Sequence, residues 1–378
     1  MPENVLITGG AGFIGSSLTR RLVDAGHRVT ILDSLVAQVH GDEPSETSPL
    51  LKSVSGIADV HVGTVTSTDD LRAALVDATV VVHLAAETGT GQSMYEIDRY
   101  VETNVGGTGK LLDLLANEPH TVRRIVIASS RSVYGEGAYL TADGTTVFPP
   151  HRSSAAMEAG DFDVHMTGGD ALTLIPTPET ALLHPSSVYG ITKQSQEALI
   201  MTAAPSIGVE SVALRYQNVY GPGQSLKNPY TGILSIFSTL IRQGKSINIF
   251  EDGLESRDFV YIDDVVEATF RACVDPRAAG HTFNVGSGVK TTVRDVVDAL
   301  FRAFGIEVPV TISGNFRLGD IRHNVADTSR IQETLGFTAA VPFDAGIRRF
   351  AEWVLTQPLE TDGYERSLAE MAERKLLK

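Results

Sequence analysis

A single cysteine, a single tryptophan and a shortage of basic residues bound what this 378-residue chain can be. With Cys273 alone, no intramolecular disulfide and no cysteine-rich metal site can form, so no metal is expected. One thiol also fits a reducing compartment, and a cytoplasmic protein is expected. The 31 Lys and Arg against 46 Asp and Glu leave a formal charge of −15. So acidic a chain lacks the basic surface that nucleic acid or an anionic membrane requires, and neither is an expected partner. An anionic small molecule would instead need a local set of arginines. No apolar run approaches the roughly 18 residues of a membrane span. Val5-Leu6-Ile7, followed at once by glycines, has the pattern of a strand rather than of a secretory leader.

What is present is ordinary globular material, 42% hydrophobic and 20% charged, enough for one large core and a smaller one. Short runs at Val5–Ile7, Val29–Leu32, Val80–Leu84, Ile125–Ala128 and Val212–Leu214 alternate with helical stretches, and Phe283–Val285 supplies a last strand. Their Val, Ile and Leu density, with little polar alternation, predicts strands buried on both faces of a parallel sheet. Helices are predicted at Ser16–Ala25, Tyr95–Leu115 and Ser187–Thr202. The expected class is α/β: a Rossmann-type doubly wound parallel sheet with a smaller C-terminal substrate-binding domain. Residues 1–218, with 257–287 returning to them, are assigned to the first domain, 219–256 and 288–355 to the second, and 356–378 to a peripheral tail. The stretch Gly135–Pro185 carries five prolines and little periodicity. Loops this long are usually functional or mobile, and a lid or a partner surface is expected here.

Thr8-Gly9-Gly10-Ala11-Gly12-Phe13-Ile14-Gly15 follows the first strand and opens a helix. Glycines at 9, 12 and 15 let the backbone turn tightly and approach a pyrophosphate, which the helix N-terminus then attracts. A glycine cluster alone would be only a tight turn. Asp33, however, ends the second strand 18 residues beyond Gly15, near the spacing of the acid that binds an adenosine ribose. Its carboxylate would repel a 2′-phosphate, and no Lys or Arg follows until Lys52, so NAD is favoured over NADP. Phe13, Ile14 and Ser34 are expected to share this cofactor site, with Thr64 and Val65 after the third strand and Leu84, Ala85 and Ala86 at the fourth.

Tyr189-Gly190-Ile191-Thr192-Lys193 places a tyrosine and a lysine four apart on one helix face. An ammonium beside a phenol favours the phenolate and makes a usable base near neutral pH. By itself the pair is common on helix surfaces. Here it follows a strand ending Ala128-Ser129-Ser130, and sites in α/β folds lie beyond the carboxyl ends of strands.

Strand, serine, then tyrosine and lysine on the next helix is the catalytic order of the short-chain dehydrogenases, and the chain resembles their extended branch from Met1 to about Val354. The resemblance implies a catalytic set of Ser130, Tyr189 and Lys193, with Ser129 the nearest competitor for the serine role. It also implies that Lys193 holds the cofactor ribose and that Asn104 supports the site from the cofactor side. Nucleotide-sugar dehydratases of this branch carry Asp-Glu after the catalytic hydroxyl. Arg131-Ser132 stands there instead, so the acid/base pair for water elimination is missing.

Arg257 in Glu255-Ser256-Arg257-Asp258-Phe259, Arg317 in Arg317-Leu318-Gly319-Asp320, and Asn218 resemble the family's diphosphate contacts, a task suited to planar guanidinium donors. Glu87, Thr88, Ser130, Arg131, Tyr189 and Asp320 are expected around the substrate, and Asn324 falls where galactose epimerases limit sugar size. The segments Ala85–Ser93 and Gly221–Ser225 are similar to a bacterial group that includes dTDP-L-rhamnose 4-epimerases. One departure is Gly63-Thr64-Val65-Thr66, which lacks the family's adenine-binding Asp. The resemblance implies an NAD-dependent 4-epimerase of dTDP- or UDP-sugars, working through a 4-keto intermediate as a homodimer. A 4-keto-sugar reductase using NAD(P)H and a non-catalytic NAD-binding regulator are the alternatives.

Overall fold

Seven short runs rich in Val and Ile pair, all in parallel, into one sheet. They are β1 (Asn4–Thr8), β2 (Arg28–Asp33), β3 (Asp59–Val62), β4 (Val80–His83), β5 (Arg124–Ser130), β6 (Glu210–Tyr216) and β7 (Thr282–Val285). The computed structural model describes residues 2–166, 169, 172–227, 232–359, 364–374 and 376–378. Strand order is β7-β6-β5-β4-β1-β2-β3, so the chain reverses direction across the sheet between β1 and β4. A crevice opens at the carboxyl ends of the strands at such a reversal. Edge strand β3 has no apolar run to announce it: Asp59-Val60-His61-Val62 is partly exposed throughout.

Helices α1 (Phe13–Asp24), α2 (Gly107–Asn117), α3 (Val188–Ser206) and α4 (Ile262–Val274) flank the sheet, α1 packing on α4 and α3 on β5 and β6. Each buries one face, as Leu18 and Leu22 of α1 do. The single helix predicted over Tyr95–Leu115 is interrupted. Ile97–Tyr100 is α-helical, Val101–Gly106 is a π-helix, and α2 follows.

From Asn218 onward, among the described residues, helices Ile233–Gln243, Val293–Phe304 and Phe343–Thr356 pack with three two-stranded sheets. Thr292 and Asp295 form a reciprocal capping box that fixes the start of the second of these helices. The prolines of Gly135–Pro185 do not leave it loose. Tyr139–Leu140 pairs antiparallel with both Thr146–Val147 and Thr173–Leu174. Buried Arg152 bonds Glu251 at 2.8 Å, Glu136 at 3.3 Å and the Asp320 carbonyl at 3.0 Å. Arg322 joins the same cluster through Glu251 and Asp252. A buried guanidinium needs its carboxylates, so these pairs pin the insertion to the far wall of the crevice. The tail departs from the expected periphery at its end: Leu376–Lys378 runs beside Phe316–Leu318.

Candidate active site

A cavity of about 640 Å³ lies at the carboxyl ends of the strands. Its first wall is the loop between β1 and α1. Helix α1 starts at Gly12 with no side chain capping it, so the N–H groups of its first turn face the cavity. Gly15 is required by close approach, because a Cβ there would stand 2.4 Å from the Gly9 carbonyl oxygen. Asp33 sits at the end of β2, where its carboxylate accepts from the backbone of Ala11 (3.0 Å) and Leu35 (2.9 Å) and borders the cavity beside Ser34. Where the family's Asp is missing, the Asp70 carboxylate reaches back to the Thr64 N–H at 2.9 Å. An uncapped helix start and a carboxylate at the next strand's end suit a dinucleotide's pyrophosphate and ribose.

The second wall carries Ser130, Arg131, Tyr189 and Lys193. The Ser187 hydroxyl caps α3 on Gly190 N–H at 3.1 Å, and the Tyr189 N–H donates to Ser93 at 3.0 Å. Gly190 lets the helix touch the turn after β5, since a Cβ would lie 2.7 Å from the Ser132 carbonyl oxygen. The two candidate serines face different ways. Ser129 donates to Glu197 at 2.5 Å, whereas Ser130 is the hydroxyl that faces the Tyr189 phenol. Burial raises the phenol's pKa, and Ser130 and the Arg131 guanidinium oppose that rise. The Arg131 guanidinium is thus a cation that acts on the phenol, in addition to the lysine expected from the Tyr-x-x-x-Lys spacing. Lys193 is pushed down to about 7 by burial and donates to Gln196 at 2.8 Å. Gln196 donates in turn to Thr108, which bonds His83 at 3.0 Å. His83 is held near 3 by burial and by Lys193, so this chain of bonds is uncharged beyond the lysine.

The third wall is basic. Arg317 pairs with Asp320 at 2.9 Å and Arg257 with the same carboxylate at 3.3 Å. Burial alone would raise Asp320, but Arg317, Arg257, Arg131 and Arg152 hold it at about 2. Arg131 is lowered to about 10 by burial and by Arg257. Guanidinium groups gathered on one wall offer the planar donors that bind diphosphate oxygens.

The cavity brings together the residues expected at both ends, with two exceptions. Asn104 is fully buried and does not contact the cofactor space. From the π-helix its side chain accepts from Glu87 N–H (2.7 Å) and donates to the Glu87 carbonyl (3.1 Å) and to Thr192 (2.9 Å). The wider turn directs it at that loop, and π-bulges are frequent at such places. Asn324, also fully buried, lies beside Ser256 and Gly137 and does not line the cavity. Several wall residues carried no motif. Arg99 holds Glu87 at 2.6 Å, and Gln38, Met94, Phe250 and Leu376 also line the cavity. Only the pairing of distant segments brings them there.

This sheet, with a phosphate-binding loop at its reversal and a serine, tyrosine and lysine beside it, defines an enzyme that works with a bound nicotinamide nucleotide. The chain belongs to the NAD dependent epimerase/dehydratase family, whose model matches residues 5–157 and 165–286. It is 38% identical over 355 residues to a dTDP-L-rhamnose 4-epimerase of Burkholderia thailandensis, covering 93% of this chain and 95% of that one. It is 31% identical to a UDP-glucose 4-epimerase of Mycolicibacterium smegmatis, covering 92% and 97%. Among solved structures, UDP-glucose 4-epimerase of Thermotoga maritima with UDP-glucose matches at a TM-score of 0.74 and 28% identity, over 93% of this chain and 98% of that one. Among the described residues, no helix is long and apolar enough to cross a membrane.

Proposed function

We propose that the chain inverts C4 of the sugar of a nucleoside diphosphate sugar, a dTDP- or UDP-hexose. The observation that carries this reading is the content of the second wall: a serine, a tyrosine and a lysine, with Arg131-Ser132 where an eliminating enzyme would need a carboxyl pair. NAD, held by the loop between β1 and α1 with Asp33 and Lys193, would supply reversible hydride acceptance at C4 and would not be consumed. Tyr189 receives the proton of the 4-hydroxyl as C4 is oxidised and gives it back on reduction. Ser130 hydrogen-bonds the same oxygen. Lys193, near neutrality and at the cofactor end, binds the ribose. Arg257, Arg317 and Asn218 hold the diphosphate, about which the 4-keto sugar turns to present its second face. Asp33, Ser34, Thr64 and Val65 take the adenosine half, and Glu87 and Thr88 the sugar hydroxyls.

In this reading residues 1–218 and 257–287 form the cofactor domain, and 219–256 and 288–355 the substrate domain. The protein works in the cytoplasm as a homodimer. Apolar side chains left exposed, Ile97 and Val101 on the stretch before α2 and Ile191 and Leu199 on α3, support a dimer in which these helices pair, which light scattering would read as twice the chain mass.

The test is purified protein incubated with dTDP-L-rhamnose and a set of UDP-hexoses, without added coenzyme. Proton NMR is expected to show a C4-inverted product with no net NADH. Conversion only when NAD(P)H and a 4-keto sugar are supplied would replace the epimerase by a reductase.

Arg131→Met is expected to move the rising limb of the kcat–pH profile to higher pH. The guanidinium favours the phenolate, so its loss raises the phenol's pKa and the base loses its proton later. Arg131→Lys should keep the limb near its original place. An unmoved limb in the Met variant would show that Arg131 does not act on the phenol.

A further inference from the structure

The last residues of the chain are not needed for the cofactor site or the proton chemistry, yet Leu376 lines the same cavity as Arg317 and Leu318. It is delivered there by backbone pairing. Phe316 N–H donates to the Lys378 carbonyl (2.9 Å), Lys378 N–H to the Phe316 carbonyl (3.0 Å), and Leu318 N–H to the Leu376 carbonyl (2.9 Å). Arg317 faces Leu377 across this antiparallel bridge. Leu376 stands opposite Leu318 in this pairing, and both residues line the cavity.

The attachment is fixed at further points. Lys378 Nζ lies 2.6 Å from Glu158 of the insertion. Arg374 lies over the Tyr95 ring, 4.2 Å from its centroid, and Met94 beside that tyrosine lines the cavity. Tyr95 belongs to the first unit, before α2, and Phe316–Leu318 to the opposite wall. Arg374 and Leu376–Lys378 thus contact both sides of the cleft.

We propose that Leu376 is a substrate-contacting residue, carried to the nucleotide-sugar end of the cavity by a strap that joins the two walls. This rests on the reading of the cavity as a nucleotide-sugar site. The strap supplies an apolar surface beside the arginine that holds the diphosphate, and it must shift when a nucleotide sugar enters or leaves. It contributes to substrate affinity and leaves the proton and hydride steps alone.

The experiment compares the wild type with Leu376→Ala, Leu376→Met and a chain lacking residues 376–378. It measures Kd for dTDP-L-rhamnose and UDP-glucose by calorimetry, KM and kcat for whichever sugar turns over, and the NAD that copurifies. In the deletion, Kd and KM are expected to rise by about tenfold, the scale for withdrawing one leucine from a buried contact, with kcat within about twofold. NAD content should be unchanged, Leu376→Ala should fall between, and Leu376→Met should restore most of the affinity. Unchanged Kd and KM in the alanine and deletion chains would overturn the proposal. So would a parallel fall of kcat, affinity and NAD content in Leu376→Ala, which would mark a general loss of structure. Should the deleted chain not fold, the alanine and methionine variants decide. Calorimetry keeps the test separate from the reaction: absent C4 inversion removes the epimerase reading, whereas binding insensitive to Leu376 removes the strap.

Discussion

Tyr189→Phe is expected to lower kcat by about 10³-fold or more, since it removes the group that takes and returns the proton in each half of the cycle. The phenol faces Ser130 in the cavity wall, and its backbone is fixed independently of the hydroxyl. The ring's place on α3 should therefore survive, and NAD content and thermal midpoint should stay at wild-type values. C4 inversion followed by proton NMR reads the chemistry, and absorbance of released nucleotide reads the cofactor. Turnover within about tenfold of wild type would remove Tyr189 as the base. Lost NAD would instead mean that the substitution had disturbed the loop between β1 and α1.

Glu197→Ala is expected to cost about 3–5 kcal/mol of stability, the usual penalty for stranding one member of a buried ion pair. Glu197 lies on α3 one turn beyond Lys193 and grips Arg215 of β6 at 2.5 Å while accepting from Ser129 of β5 at 2.5 Å. Arg215 also donates to the Tyr134 hydroxyl at 2.8 Å and to the Glu179 carbonyl at 2.9 Å. Without the carboxylate, a buried guanidinium would keep only neutral acceptors. Denaturant unfolding measures the loss. A change below about 1 kcal/mol would put the pair in the class of surface bridges. The double change Glu197→Met with Arg215→Met should lose less than Glu197→Ala, because no charge is left behind.

How much of this was legible varies with the reach of the interaction. Gly9, Gly12, Gly15, Asp33, Tyr189 and Lys193 are local signals: a turn, a strand end or one helix face fixes each, and all of them line the cavity. The central strands were legible because burial on both faces leaves unbroken apolar runs. Edge strand β3, exposed in part, leaves none. Asn104 looked like an ordinary helix residue because the π-helix that turns it toward Glu87 has no signature in an unbroken helical pattern.

Charge placement was the least legible. Spacing put a lysine near the phenol, but nothing in it announced that Arg131 also acts on that phenol or that Lys193 donates to Gln196. The proline-rich insertion had the composition of a lid or a partner surface, and the charged tail that of a peripheral segment. Arg152 with Glu136 and Glu251 ties down the first, and the pairing of Leu376–Lys378 with Phe316–Leu318 ties down the second. The sequence by itself determined the parallel sheet, the dinucleotide loop and the serine, tyrosine and lysine, because each depends on periodicity or spacing within a few turns of chain. Only the tertiary structure decided that Arg131 also acts on the phenol and which segments close the cavity, because those depend on contacts between residues tens to hundreds of positions apart.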